Sequence, residues 1–259
     1  MSTVDAVSTE LRQTLTRLQA LPSLQGFGLA GGTNLALRFN HRESIDLDLF
    51  SGQMVGQTGM EYIMAEIEKE FNASEIRRCI LENVEEGEQF GFIRLLLAVG
   101  AKTIKVEIIQ NAPLLDEFDI VEGYRLVSVK DIGHLKLMSI SSRAAQKDLY
   151  DLDLITDKSD LGTLMEALAE KEARFTTQAD WWLFDLDEPT SPTADYHLLL
   201  AADPIDYKPK VGRPYHSTDA LNIIPPNKDI KAAKRQWRRK VFKLMRDNGV
   251  ESPKLGPVN

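Results

Sequence analysis

With 259 residues, of which 43% are hydrophobic and 27% charged, the chain has the composition of a soluble globular protein and the length for one large domain or two small ones. No apolar run approaches the ~20 residues that a membrane span needs, and the first ten residues carry no basic-then-apolar leader, so a cytoplasmic protein with no membrane partner is expected. One cysteine, Cys79, excludes an internal disulfide, and four scattered histidines argue against a zinc cluster. The net charge of −8 argues against nucleic acid as a partner, but residues 228–246 hold nine basic residues against one acidic, so an acidic body carries a basic segment.

In chain order, residues 4–21 read as an amphipathic helix, with Leu11, Leu15, Leu18 and Leu21 at helical spacing and Pro22 as the stop. A short strand over 26–30 leads through Gly31-Gly32-Thr33 into a helix over 34–39. Residues 44–50 alternate as a strand, with Ile45, Leu47 and Leu49 expected to face the core. A helix follows over 61–71. Residues 76–110 are β-like, and the apolar run 90–99, the Gly100-Ala101-Lys102 turn and the strand 103–109 have the spacing of a hairpin. A last short strand is expected over 124–129.

From there the pattern turns helical: 129–156 as two helices jointed near Ser141-Ser142, 161–173, 180–187 with Trp181 and Trp182, and a basic helix over 228–246. Residues 188–226 are rich in Pro and Asp and read as irregular. The division is an α/β part over 1–127 and a helical part over 128–259.

In a strand, residues i and i+2 share a face, so Asp46 and Asp48 project side by side. Two close carboxylates repel unless a cation sits between them, and Mg2+ suits oxygen-only ligands. Upstream, the glycines of Gly31-Gly32-Thr33 leave backbone N–H groups open at a helix N-terminus, where an anion can bind, and Thr33 adds a hydroxyl donor. No GK[ST] follows, which excludes a P-loop. Glu107, mid-strand between Val106 and Ile108, is a third carboxylate that is costly to bury unless paired or bound to metal. Together these are the parts of a two-metal phosphoryl-transfer site in which Asp46, Asp48 and Glu107 hold the ions and Glu107 helps accept a proton. Lys136, Arg143 and Lys147, spaced seven and four apart, form a row of cations if the helix is continuous, able to neutralise a triphosphate. Ser44 either binds the same phosphate or caps its loop, and Arg42 can anchor the turn through a carboxylate.

Gly31-Gly32-Thr33, Asp46-Leu47-Asp48 and the later hydrophobic-Glu107-hydrophobic together resemble the DNA polymerase β-like nucleotidyltransferase superfamily. The fuller string GGTNLALRFNHRESIDLDLF, with Lys136-Leu137-Met138, Arg143 and KDLYDL at 147–152, is more specifically similar to the AbiEii/AbiGii toxin family, which includes the MenT toxins; the likeness covers residues 25–156. It implies an α/β (α+β) fold, with a mixed-sheet nucleotidyltransferase core and a helical C-terminal lobe. It also implies an NTP substrate used with Mg2+, an RNA acceptor such as tRNA, and a cognate antitoxin. By the same likeness Thr33 contacts phosphate, Asp46 and Asp48 bind metal, Lys136 faces the triphosphate and Asp148 is essential. Lys231, Lys234, Arg235, Arg238 and Arg239, on the basic helix opposite the stripe Ile230, Ala233, Trp237, Val241 and Leu244, are candidates for RNA backbone contact, and the same face also suits an antitoxin or simple charge balance. Transfer to a protein hydroxyl and a non-catalytic NTP-binding or interaction module are the competing readings.

Overall fold

A computed structural model describes residues 5–82, 86–143, 145–200, 214 and 220–253. Helix α1 (Thr9–Ala20) is capped by Ser8, whose hydroxyl accepts from Leu11 N at 3.3 Å, and its Leu11, Leu15 and Leu18 are buried. Strand β1 (Gly28–Leu29) runs into α2 (Gly31–Phe39), so the Gly-Gly-Thr stretch is the first turn of the helix rather than a turn before it. The buried Asn34 locks α2 to the sheet by donating to the carbonyls of Leu29 and Val127 at 2.7 and 2.8 Å. Strand β2 (Asp46–Phe50) and helix α3 (Gly56–Glu70) follow.

Next come β3 (Ile76–Glu82), β4 (Phe92–Val99) and β5 (Lys102–Ile109). The β4–β5 hairpin turns at Gly100, whose φ of +61° fits a tight turn, and pairs Val99 with Lys102 through to Phe92 with Ile109, as its spacing predicts. Strands β6 (Asp119–Val121) and β7 (Tyr124–Leu126) complete a mixed seven-stranded sheet in the order β3-β4-β5-β2-β1-β7-β6.

The alternation of β2 and β5 divides the sheet into two unlike faces. Leu47, Leu49, Val106 and Ile108 pack with α1 and α3 in one apolar cluster. The other face carries Phe50, Phe92 and Ile109 at one end, and these pack under the helical part in a second cluster with Leu137, Leu149, Trp182 and Trp237. At the opposite end of that face, β2 and β5 present charges instead.

Helices α4 (Val129–Arg143), α5 (Gln146–Ile155), α6 (Leu161–Arg174) and α7 (Ile230–Asp247) form the covering layer. Helix α4 ends at Arg143 and α5 starts at Gln146, just after the expected joint. The region 180–187 is not one helix but 3-10 turns over Gln178–Asp180 and Leu183–Asp187. Trp182 falls between them and is buried against Phe50, whereas Trp181 is exposed. In α7, Asp229 caps the start by accepting from Ala232 N, and Ala233, Trp237, Val241 and Leu244 are buried as the stripe requires. Among the described residues no helix is long and apolar enough to cross a membrane. Cys79 is half-buried, and burial pushes its thiol up to about 11, which leaves it protonated and inert at neutral pH.

Candidate active site

Asp46 and Asp48 stand side by side on β2, held in register with Lys105 and Glu107 on the parallel strand β5. The glycines of α2 exist to make room for this. Gly31 has φ +65°, and a Cβ there would come 2.0 Å from Asp48 Oδ2; a Cβ on Gly32 would come 2.4 Å from Arg42 Nη2. The Asp48 carboxylate thus rests in a cradle at the N-terminus of α2, where the helix dipole favours negative charge. Thr33 is buried, with its hydroxyl 2.7 Å from Ser44 Oγ and donating to the Asp46 carbonyl, so it pins the start of the helix to the start of β2.

An open cleft lies over the pair, lined by Gly32, Ser44, Asp46, Asp48, Lys136 and Lys147 among the residues expected from sequence. Ile45 also lines it. It is 49% exposed because it precedes the paired part of β2, and this corrects the expectation that it faces the core. Gly31, Thr33, Glu107, Arg143 and Asp148 lie outside the lining. Asn222 joins from far along the chain. Residues 222–224 dock on the 41–43 loop through a bridge of Arg42 with Ile223, and Asn222 Nδ2 donates to Glu43 Oε2 at 2.8 Å.

Lys136 is buried and fastened from below, its Nζ 2.5 Å from Asp148 Oδ1 and 2.9 Å from Asp151 Oδ2. Arg143 grips Asp148 Oδ2 through Nε at 3.0 Å and Nη2 at 2.8 Å, which meets the expectation that Lys136 and Arg143 share a helix face. Arg42 anchors its turn through a carboxylate, as expected: Nε and Nη2 each lie 2.7 Å from an oxygen of Asp151. Burial works against the charge of Asp151, yet Arg42 and Lys136 outweigh it and hold the carboxyl well below the usual range. His41, missed in the sequence, completes the network. Burial lowers its pKa, and because the Asp151 carboxylate can only accept, Nε2–H donates to Oδ1 at 2.8 Å, while the ring stacks on Tyr150.

Glu107 has the register expected of a third carboxylate, but the protein already engages it. It is 2% exposed, with Lys105 Nζ 2.7 Å from Oε2 and Arg94 Nε 3.4 Å from Oε1. Burial pushes its carboxyl up against the pull of Lys105. For Lys105 burial opposes the charge, but Asp48, Glu107 and Asp46 together hold the ammonium above its ordinary value. Among the described residues no three carboxylate, imidazole or thiol groups converge to hold one ion. Asp46 and Asp48, cradled and cleft-lining, fit an oxygen-preferring divalent cation as a two-carboxylate donor set with room for water and phosphate ligands.

The basic helix contributes nothing to the cleft lining. Lys228 and Lys240 are committed to Asp153 and Asp157 at 2.5 to 2.8 Å and clamp α7 onto α5. Lys231, Lys234, Arg235, Arg238 and Arg239 make no ion pair among the described residues and lie exposed or half-buried.

The family described as "Nucleotidyl transferase AbiEii toxin, Type IV TA system" matches residues 13–247. An uncharacterized protein of Aquifex aeolicus (strain VF5) is 32% identical over 171 residues, which is 64% of this chain and 75% of that protein. Two solved structures share the fold. A candidate nucleotidyltransferase from H. pylori has a TM-score of 0.51 at 15% identity, covering 93% of this chain and 97% of its own. The nucleotidyltransferase toxin MenT4 of Mycobacterium tuberculosis H37Rv has a TM-score of 0.52 at 16% identity, covering 92% and 86%.

Proposed function

The chain belongs to the AbiEii nucleotidyl transferase toxin family of type IV toxin–antitoxin systems, and from that premise we propose that it transfers a nucleotidyl group from an NTP, with Mg2+, to an RNA acceptor of the tRNA class. The observation that carries this reading is the pairing of Asp46 and Asp48 in one cleft with Lys136 and Lys147. Bound between the two aspartates, Mg2+ would polarise the phosphoryl oxygens and favour deprotonation of the attacking hydroxyl. The chain's own residues do the rest. Lys136, fixed by Asp148 and Asp151, presents an ammonium whose position does not have to reorganise as charge develops on the phosphates. Lys147 adds a second cation at the cleft. Arg143 and Asp148 position Lys136 rather than touch the nucleotide. Thr33 holds the motif together, while Ser44 and the open backbone at Gly32 are the phosphate contacts within the cleft.

An RNA acceptor is supported by the five cations of α7 that make no ion pair among the described residues, since a phosphate backbone is what such a row can neutralise. The family also supports a cognate antitoxin as a partner.

The test is to incubate purified protein with Mg2+, total tRNA and each of the four α-labelled NTPs, beside an Asp46→Ala/Asp48→Ala variant. Label on tRNA from the wild type alone is the expected result, and it names the nucleotide. Label on protein instead moves the assignment to protein nucleotidylation, and no NTP binding at all leaves a non-catalytic module.

Gly31→Ala is a sharper probe of the cradle. A left-handed φ costs a non-glycine residue about 1–2 kcal/mol, and the new Cβ would displace the Asp48 carboxylate. Misplacing a reacting group by ~1 Å costs about a hundredfold in rate. Transfer should therefore fall by about that factor while the fold survives, as read by initial rates and circular dichroism on the same sample. Unchanged rates would show that the cradle has no part in the reaction.

A further inference from the structure

Asp46, Asp48 and Glu107 share one face of two neighbouring strands, with Asp48 directly opposite Glu107 and Asp46 directly opposite Lys105. Strand neighbours lie about 4.8 Å apart, so the three carboxylates crowd one patch and need a cation among them. The chain supplies one. Lys105 is 5% exposed, stands two residues before Glu107 on the same face, and meets its Oε2 at 2.7 Å. Arg94, opposite Glu107 on β4, reaches the other oxygen at 3.4 Å and also binds Glu82 at 2.6 Å. Both oxygens of Glu107 therefore face protein cations, and both cations are themselves buried.

We propose that Lys105 is the resident second cation of this site: its ammonium occupies the place between Glu107 and the aspartates, so that one divalent ion binds, on Asp46 and Asp48, and Glu107 is a positioning residue for Lys105 rather than a metal ligand. The proposal rests on the reading that the aspartate pair binds a divalent cation. It departs from the two-metal site that the three carboxylates alone suggest. A second ion at Glu107 would have to expel a buried ammonium or sit against it, and Mg2+ in particular needs a near-octahedral oxygen shell that an ammonium cannot share.

The experiment is a titration of the full-length chain with Mn2+ alone, counting bound ions by electron paramagnetic resonance and equilibrium dialysis. Wild type should bind one Mn2+ per chain. Lys105→Met, which leaves Glu107 facing the aspartates with no ammonium between, should bind two, with the exchange-coupled spectrum of ions about 4 Å apart. Glu107→Gln should keep one ion with affinity within about threefold of wild type, because no ligand has been removed. Lys105→Met/Glu107→Gln, which leaves no buried charge unpaired at these two positions, should also bind one and keeps the test decisive if the single variant does not fold. Two ions on the wild type, no gain in Lys105→Met, or a tenfold or greater loss of affinity in Glu107→Gln would overturn the proposal. No Mn2+ bound by the wild type would overturn the cation reading of Asp46 and Asp48 on which the proposal rests, and so separates the two failures.

Discussion

Replacing Asp151 with alanine is expected to destabilise the protein by about 3–5 kcal/mol, the scale for removing one partner of a buried ion pair. The reason is what is left behind. Arg42 and Lys136 are both buried and both bonded to Asp151, and His41 Nε2–H is aimed at it. Lys136 keeps Asp148, but Arg42 loses its bidentate partner and could find water only by breaking the loop that shapes the cleft. For a chain of this size the loss corresponds to about 10 °C or more in melting temperature. The effect also has a defined pH dependence. Asp151 is held well below its ordinary value in the folded state, so its contribution is fully present above the unfolded carboxylate pKa of about 4. It is lost as pH falls through the folded value. Thermal melts of wild type and variant at pH 7 should therefore differ by the full amount, and the gap should narrow in acid. A variant that melts within a degree of wild type at pH 7 would show that the network carries no stability.

Asp48→Asn is expected to separate catalysis from folding in the opposite sense. The change is isosteric, the amide fits the same cradle against Gly31, and the half-buried position relieves one charge from a crowded patch. The melting temperature should move by no more than a few degrees. Transfer should fall by a hundredfold to a thousandfold, roughly the cost of losing one preorganised electrostatic contact to the transition state. The measurement is the single-turnover rate of label transfer at saturating Mg2+ and again at tenfold lower Mg2+. A variant within tenfold of wild type at both concentrations would remove Asp48 from the metal site. A deficit that shrinks as Mg2+ is raised would assign its role to ion affinity rather than to the chemical step.

Most of the sheet and, among the described residues, helices α1, α3, α6 and α7 were readable from periodicity, because each buries a stripe against a neighbour and the stripe dictates the residue types. The aspartate pair was readable for the same reason: with Leu47 and Leu49 buried, period two leaves Asp46 and Asp48 no choice but the other face. Ile45 broke the rule because it lies one residue before the ladder starts and is not held to the alternation. The cation row was readable only as far as the helix was continuous. Lys136 and Arg143 share α4, whereas Lys147 reaches the cleft from α5, beyond the break. Lys105 carried a signal of the same kind, since the i, i+2 rule that pairs Asp46 with Asp48 also pairs Lys105 with Glu107. His41 and Asn222 carried none. Their roles arise from contacts more than a hundred positions away, His41 with Asp151 and Asn222 with Glu43, and no local pattern marks either.

The docking of residues 222–224 on the 41–43 loop also sets an order of events during synthesis. The aspartates, the glycine cradle and Lys136 all emerge in the first 136 residues, yet the rim that Asn222 adds is bonded to Glu43 across 179 positions of sequence. A ribosome that has made the whole sheet and the first two covering helices has made every charged group of the cleft and still lacks its edge. Long-range contacts of this kind form late, because the loop they close must exist first. The last wall of the pocket is thus withheld until the chain has passed Ile224, and a growing chain stalled before that point holds the reactive groups in an unfinished vessel.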